Sequence, residues 1–295
     1  MTAALVINRR AGKGAEPGAV EAEFARAGVP VRVYAADGAG GPIEAALRAA
    51  RDGCDPIVAA GGDGTVSAVA SVAVANRRTL GVVPIGTLNH FAIDLGIPLE
   101  VPAAVKVIRD AKTAEIDVGE LNGRIFVNNS SLGVYPQVVQ LRERQQRRGW
   151  AKWRALFWAL WATIERIPFL AVRLTAEAAA MVRRTPLVFV GNNDYALSGL
   201  RAGTRECMTA GNLCLHVVKA RSGWELVRRS LAILIGLARG PDEIESMQTR
   251  EAWVESRRRG VDVSLDGEVV AMEPPLHYRI RPRALRVIVP ETPAG

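Results

Sequence analysis

The chain of 295 residues has only three cysteines, and aromatic residues make up 5% of it. No two cysteines form a C-x-x-C pair, so a disulfide framework is excluded and reduced thiols in a cytoplasmic protein are expected. The longest membrane-like stretch, Ala155 to Ile164, is far shorter than the roughly 20 residues that cross a bilayer. Met1 to Asn8 contains neither a basic leader nor a cleavage site, so no signal peptide is expected.

The remaining composition is that of a globular protein, with 49% hydrophobic and 23% charged residues, which excludes a disordered or collagen-like chain. The length fits one large or two ordinary domains. The formal charge of +8 favours an anionic partner. A nucleic acid, a phosphate-bearing ligand and an anionic membrane surface all satisfy that requirement.

Short β-branched runs alternate with helical segments over residues 1–115, which predicts a doubly wound α/β domain with a parallel sheet. The predicted strands are Ala4 to Asn8, Val31 to Ala35, Ile57 to Ala60 and Leu80 to Val83. The predicted helices are Val20 to Ala27, Ile43 to Ala50 and Val66 to Asn76. In such domains ligands bind beyond the carboxyl ends of the strands.

Residues 116–295 have a different pattern, which predicts a mainly antiparallel β domain. Its predicted strands are Ile116 to Glu120, Ile125 to Asn129, Phe169 to Thr175, Leu187 to Val190, Leu213 to Lys219, Ala252 to Ser256, Val261 to Leu265 and Leu276 to Ile280. Asn122-Gly123 and Asp266-Gly267 are typical of tight hairpin turns. The last strand or strands are expected to pack back on the first domain.

A helical insertion is predicted near 138–166, where basic and aromatic residues are concentrated. Two interpretations remain: a helix packed on the β domain with a solvated basic face, or a patch that enters the headgroup region of an anionic membrane. The residues predicted to contact membrane are Trp150, Trp153, Phe157, Trp158, Arg147 and Arg148. The absence of any recognisable nucleic-acid fold argues against nucleic acid as the partner.

Two glycine loops follow neighbouring predicted strands. The first is Gly61-Gly62-Asp63-Gly64-Thr65, and the second runs from Pro84 through Gly86, Thr87 and Asn89 to Ala92. Glycines let the backbone approach an anion, and a following helix N-terminus supplies free N–H groups. The first loop is neither a Walker A motif nor a Rossmann fingerprint, since Ser67 stands where the latter requires glycine.

In this order and spacing the motifs resemble the diacylglycerol kinase catalytic-domain family, which includes bacterial soluble lipid kinases and the diacylglycerol, sphingosine and ceramide kinases. G-G-D-G-T is that family's nucleotide signature and G-T-x-N-D-F-A its second loop. The resemblance also covers an N-terminal loop, here at Asn8, and a D-G-E motif, here Asp266-Gly267-Glu268. It implies an NAD kinase/diacylglycerol kinase-like fold, with an antiparallel β-sandwich as the second domain.

The resemblance also implies transfer of the γ-phosphoryl group of ATP to a lipid hydroxyl, with Mg²⁺ present and the lipid at an anionic membrane surface. Glu268 is our first choice for the catalytic base and Asp266 the second. Asp117 stands where the family has an acid of the magnesium network. The residues implied to bind nucleotide are Asn8, Gly61, Gly62, Asp63, Gly64, Thr65, Gly86, Thr87 and Asn89. A homodimer is also compatible with the resemblance.

Some positions depart from the family pattern. His90 replaces the usual aspartate, and Ala210 and Cys214 replace the two carboxylates of an accessory magnesium site, which is therefore expected to be absent. The alternatives are NAD-kinase-like phosphorylation of a soluble substrate and a relative that binds nucleotide or membrane without turnover. A phosphofructokinase-like sugar kinase shares only the glycine loop.

Overall fold

The structure, a computed structural model, describes residues 2–8, 18–133, 169–176, 179–195, 205, 207–220, 225 and 244–291. The chain forms two compact units. The first comprises Met1–Asn128, Asn192–Gly211 and Ile280–Gly295, and the second comprises Asn129–Gly191 and Asn212–Arg279. The first unit thus continues past the boundary expected at residue 115, because the hairpin that follows it pairs with the last strand of the chain.

The first unit begins with the predicted alternation of strands and helices. Its strands are β1 (Ala3–Ile7), β2 (Val31–Ala35), β3 (Ile57–Gly61) and β4 (Leu80–Pro84). Its helices are α1 (Ala19–Arg26), α2 (Gly41–Arg51), α3 (Asp63–Asn76), α4 (His90–Asp94) and α5 (Val101–Asp110). The strands are parallel in the order β2-β1-β3-β4, so the predicted doubly wound class is confirmed.

Both faces of this sheet are covered. Strands β1, β3 and β4 are buried along their whole length, as expected where helices pack on both sides of a parallel sheet. The neighbouring residues Val58 and Ala59 belong to different core clusters: Ala59 packs with α2 and α3, and Val58 packs with α1 and α5. The edge where these strands end is therefore held by a rigid two-sided core.

The hairpin predicted at Asn122-Gly123 is confirmed. It joins β5 (Thr113–Leu121) to β6 (Arg124–Phe126), and both turn residues have the positive φ that such a turn requires, 47° and 83°. Strand β5 pairs with the last strand, Leu276–Ile288. That strand is longer than the predicted Leu276 to Ile280, because it continues beyond Pro282 through an irregularity at Arg283, whose φ is 51°.

The second unit is an antiparallel β structure, as predicted, built from two sheets. Its elements are β7 (Asn129–Gly133), β8 (Leu170–Ala176), β9 (Ala179–Thr185), β10 (Leu187–Asn192), β11 (Leu213–Val218), β12 (Ile244–Thr249), β13 (Glu251–Ser256), β14 (Val261–Leu265), β15 (Glu268–Met272) and the first part of β16 (Leu276–Ile288). One sheet has the order β12-β11-β10-β7-β14-β15, and the other contains β16-β13-β8-β9.

A buried contact joins these two sheets. The hydroxyls of Ser130 on β7 and Tyr278 on β16 lie 2.9 Å apart. Burial raises the pKa of the Tyr278 hydroxyl above its ordinary value, so this group remains protonated and can donate. The residues of β7 that share the side of Ser130 therefore face the interior of the sandwich.

The predicted membrane contacts, Trp150, Trp153, Phe157, Trp158, Arg147 and Arg148, lie outside the described residues, as does the insertion 138–166. Among the residues that the structure describes, no helix is both long and apolar enough to cross a membrane.

A buried ion pair stabilises the end of α4. The side chains of Arg205 and Asp94 are 0% and 3% exposed, and Nε of Arg205 lies 2.8 Å from Oδ2 of Asp94. The guanidinium also donates to the carbonyl of Val127 at 2.6 Å and to Oδ1 of Asn128 at 2.8 Å. Every side of this buried charge is thus paired, which compensates the large cost of removing it from water.

We expect Asp94→Asn to lower the free energy of unfolding by about 3–5 kcal/mol, because the Arg205 charge would remain buried without its counter-ion. Chemical denaturation followed by circular dichroism measures this loss. The matched control is Asp110→Asn, whose pair with Arg109 is half exposed on both sides. Its loss should stay below about 1 kcal/mol. Equal losses in the two variants would contradict a special role for the buried pair.

Candidate active site

The first glycine loop links the end of β3 directly to the start of α3. Gly62 is the N-cap of α3 in extended conformation, and its carbonyl accepts hydrogen bonds from the N–H groups of Thr65 and Val66. A Cβ at Gly61 would lie 2.4 Å from Cβ of Thr65, so only glycine fits there. The chain therefore turns into the helix without a side chain in the way.

The second loop follows β4, the next strand of the sheet. Asn89 is buried and has a φ of 53°, in the left-handed region that asparagine tolerates. Its Oδ1 accepts the N–H of Gly86 at 3.0 Å, and its Nδ2 donates to the carbonyl of Gly86 at 2.9 Å. One side chain thus satisfies both backbone groups of Gly86 and fixes the shape of the loop.

The two loops touch through glycine backbone. A Cβ at Gly86 would lie 2.4 Å from Cα of Gly62, a separation that real atoms do not adopt. The N–H of Ile85 donates to the carbonyl of Gly61 at 3.1 Å, and the N–H of Phe91 donates to Oδ1 of Asp63 at 3.2 Å. These cross-links are not evident from the sequence.

Asn8 joins the same edge, since its Nδ2 lies 3.3 Å from Oγ1 of Thr65. Strands β1, β3 and β4 are neighbours in the sheet. Asn8 follows β1, the first loop follows β3, and the second loop follows β4. Gly64 and Thr87 are exposed there. The structure therefore brings all nine residues predicted to bind nucleotide to one sheet edge.

This edge fits a phosphate group. The first N–H groups of a helix have no partner within the helix, and the helix dipole is positive at that end. At the start of α3 these groups lie among glycines, where a side chain would occupy the approach path of an anion. The arrangement can bind phosphate mainly through backbone N–H groups.

The Asp117 carboxylate is buried, and each of its oxygens accepts a hydrogen bond. Its Oδ2 accepts the N–H of Gly211 at 2.7 Å, and its Oδ1 accepts the N–H of Arg283 at 2.8 Å. The second bond takes the N–H at the irregularity in β16. Each of the two oxygens keeps a second lone pair, and the metal role of Asp117 stays a prediction.

The segment expected to have lost the accessory magnesium site has other contacts. Cys214 is buried at 2% exposure, and Nδ2 of Asn212 donates to Oε1 of Gln248 at 3.1 Å. The described residues contain no group of three histidine, cysteine or carboxylate side chains that could hold a metal. The donors of this segment do not fit a magnesium ion, which prefers carboxylate oxygens.

The two predicted catalytic carboxylates lie at the turn between β14 and β15. Asp266 and Gly267 have φ values of 47° and 88°, so the predicted hairpin turn is confirmed. Oδ1 of Asp266 accepts the N–H of Asn129 at 3.0 Å, while Glu268 is exposed at the start of β15. Asp266 thus helps to hold the turn, and Glu268 presents its carboxylate to solvent.

The fold is that of an α/β protein whose two glycine loops meet at one sheet edge, with an appended antiparallel β-sandwich. Two family profiles match it. The profile described as "Diacylglycerol kinase catalytic domain" matches residues 2–121, and "YegS C-terminal NAD kinase beta sandwich-like domain" matches residues 132–289, more than half of the chain. The chain belongs to this diacylglycerol kinase family.

Curated relatives support the same family. A diacylglycerol kinase of Staphylococcus haemolyticus is 39% identical over 115 residues, which are 38% of this chain and 35% of the relative. A diacylglycerol kinase of Bacillus subtilis is 41% identical over 109 residues, which are 36% of each chain. These matches span only about a third of the length of the curated relatives.

Solved structures share the fold over nearly the whole chain. A structure described as a diacylglycerol kinase from Bacillus anthracis str. Sterne has a TM-score of 0.71 and 19% identity, and the match covers 99% of this chain and 98% of that one. A second structure from that organism has a TM-score of 0.74 and 22% identity, with coverages of 98% and 97%.

We expect Gly86→Ala to lower the free energy of unfolding by about 1–3 kcal/mol, because the new Cβ would press on the backbone of Gly62. Gly64→Ala is the matched control, since its Cβ would meet nothing within 4 Å. It should change stability by less than about 1 kcal/mol, with a gain as the expected sign. Denaturant unfolding without nucleotide measures both variants. If both lost the same stability, the close contact of the loops would be disproved.

Proposed function

We propose that this protein is an ATP-dependent lipid kinase, which transfers the γ-phosphoryl group to the hydroxyl of diacylglycerol or a related lipid alcohol. The phosphate-binding part of this proposal is supported by one observation. The two glycine loops are in contact, Gly62 against Gly86, at the start of α3. The lipid half is supported by the relatives named diacylglycerol kinase.

In this proposal the glycine loops position the phosphates of ATP, and the exposed Thr87 is available as a hydroxyl donor. Phosphoryl transfer needs little covalent chemistry from the protein, since positioning and charge stabilisation supply most of the catalysis. Rigid backbone donors meet this need, because they do not have to reorganise during the reaction. Mg²⁺ bound with ATP would neutralise charge on the phosphates.

Glu268 is the proposed general base, which removes the proton from the acceptor hydroxyl. Its carboxylate is exposed, whereas one oxygen of Asp266 is already bonded to the backbone of Asn129. Asp266 is therefore better suited to fix the turn that presents Glu268. An exposed carboxylate can act on an alcohol only when that alcohol is held within hydrogen-bond reach.

A second candidate is NAD-kinase-like phosphorylation of a soluble dinucleotide. The family description of residues 132–289 as NAD kinase beta sandwich-like favours this candidate. The two functions differ in their acceptor, so an assay that offers both acceptors separates them.

With radiolabelled ATP, we expect label to appear in a lipid when mixed micelles contain diacylglycerol, ceramide and sphingosine and when NAD is present in the same reaction. Thin-layer separation of lipids and nucleotides identifies the labelled product. A reaction without protein is the blank. Label in NAD and in no lipid would reject the lipid kinase in favour of the second candidate.

Glu268→Gln is expected to lower kcat by at least about 100-fold, the usual contribution of a positioned base, while the affinity for ATP stays unchanged. Asp262→Asn is the matched control, because Asp262 is an exposed acid on the same hairpin. Steady-state kinetics and calorimetric titration with ATP measure the two quantities. A Glu268→Gln variant with normal turnover would remove this residue from the base role.

A further inference from the structure

One sheet of the second unit has a face that points to solvent. Its strands β8, β13 and the first part of β16 alternate buried and more exposed residues, as expected when only one face of an antiparallel sheet packs on the core. The outer face consists of the odd-numbered residues 171–175, 251–255 and 277–279, together with the even-numbered residues 180–184 of β9, which stand opposite those of β8.

Two large apolar side chains are exposed on the outer face. Val182 is 64% exposed and Trp253 is 40% exposed. The Trp253 ring stacks on the ring of His277, which stands opposite it on β16, with centroids 3.9 Å apart and an angle of 4° between the planes. The stack restrains the indole before any partner binds, so its exposed part can be buried at a small entropic cost.

A loop of three consecutive arginines borders the outer face. This arginine loop, Arg257 to Arg259, connects β13 to β14, and all three residues are exposed. The N–H of Arg258 donates to Oγ of Ser256 at 3.2 Å, which shapes the turn. Arg184 of β9 lies at the same end of the sheet, with its guanidinium 5.5 Å from the centroid of the Phe169 ring.

The outer face and the arginine loop together are positively charged. They contain six arginines and only two glutamates. Both glutamates are already paired, since Glu251 bonds to His277 and Glu255 lies 4.0 Å from Arg173. Charge complementarity therefore requires an anionic partner for this surface.

The apolar and basic groups lie side by side. Arg173 stands opposite Val182, and Trp253 lies on the next strand, two residues further along. With strands about 4.8 Å apart and two residues spanning about 7 Å, Val182 and Trp253 are about 12 Å from each other. Tryptophan beside arginine is typical of surfaces that bind the headgroup region of an anionic membrane. A nucleic acid would use the arginines, but it would leave the aliphatic Val182 side chain without a contact.

We propose that the outer face and the arginine loop bind the surface of an anionic lipid bilayer. Trp253 and Val182 enter the headgroup region, and Arg257 to Arg259 lie against the lipid phosphates. The partner is a membrane surface and not a substrate molecule, so the inference goes beyond the proposed kinase function. Vesicle binding requires no turnover, and it is therefore tested independently of phosphoryl transfer.

Co-sedimentation of the full chain with vesicles of phosphatidylglycerol and phosphatidylcholine in equal parts measures this binding. We expect strong binding to these vesicles at about 0.1 M salt, weaker binding at higher salt, and much weaker binding to phosphatidylcholine alone. Replacing Arg257, Arg258 and Arg259 together by glutamine should lower the partition coefficient about 100-fold, because each arginine near an anionic surface contributes about fivefold.

The charge-matched control replaces Arg51, Lys106 and Arg109 by glutamine. These residues are exposed on α2 and α5 of the first unit, so the control loses the same net charge at a different place. Its partition coefficient should change by less than about threefold. An equal loss in the two triple variants would show that net charge, and not this surface, determines binding.

Val182→Glu tests the apolar part of the outer face. The variant should fold, because the side chain is mostly exposed, and it should lower the partition coefficient at least about fivefold by placing a negative charge against the lipid phosphates. Val33→Glu is the matched control, since Val33 is an exposed valine on β2 of the first unit, and it should bind vesicles like the wild type. Circular dichroism verifies that both variants are folded.

Four results would overturn the inference. The wild type could fail to bind anionic vesicles, or it could bind them with an affinity that neither the triple arginine variant nor Val182→Glu changes. An oligonucleotide that binds in place of vesicles, and that the triple arginine variant no longer binds, would assign the surface to nucleic acid. A dimer in sedimentation velocity that Val182→Glu separates into monomers would assign it to a second copy of the chain.

Discussion

The contact between the backbones at Gly62 and Gly86 is the constraint on which the candidate site depends. It lets the loops after β3 and β4 approach to backbone contact, and Gly64 in the first turn of α3 is exposed. The residues around the contact keep this geometry fixed: Asn89 bonds both backbone groups of Gly86, and the buried Asp94 anchors the following helix through its ion pair. These contacts define the shape of both loops within the protein itself.

Much of the fold could be predicted because hydrophobic runs and turn chemistry act locally. Strands β1 to β4 and both hairpin turns follow from such local patterns. Helix α5 was not predicted, although Pro102 suits the first turn of a helix, and β9 was not predicted because its alanines have little strand preference. The extension of β16 past Pro282 was missed because a proline normally ends such a run, whereas Asp117 here binds the N–H of Arg283.

The candidate site was predictable in its residues and not in its contacts. Motifs identify Gly62, Gly86 and Glu268, but a sequence does not reveal that a Cβ at one glycine would strike the other. Burial is the other property that local sequence does not contain. Arg205 is an ordinary surface residue type, and only the packed structure shows that its side chain is a buried charge paired with Asp94.

The central claim is that the paired glycine loops bind the phosphates of ATP through backbone N–H groups. Hydrogen exchange of backbone amides, measured with ATP, with adenosine and without ligand, tests this claim most directly. We expect ATP to slow exchange at Gly62, Asp63 and Gly64 and at Thr87 to Asn89, whereas adenosine, which has no phosphate, does not. Unchanged exchange in both loops at saturating ATP, or equal protection by adenosine, would contradict it.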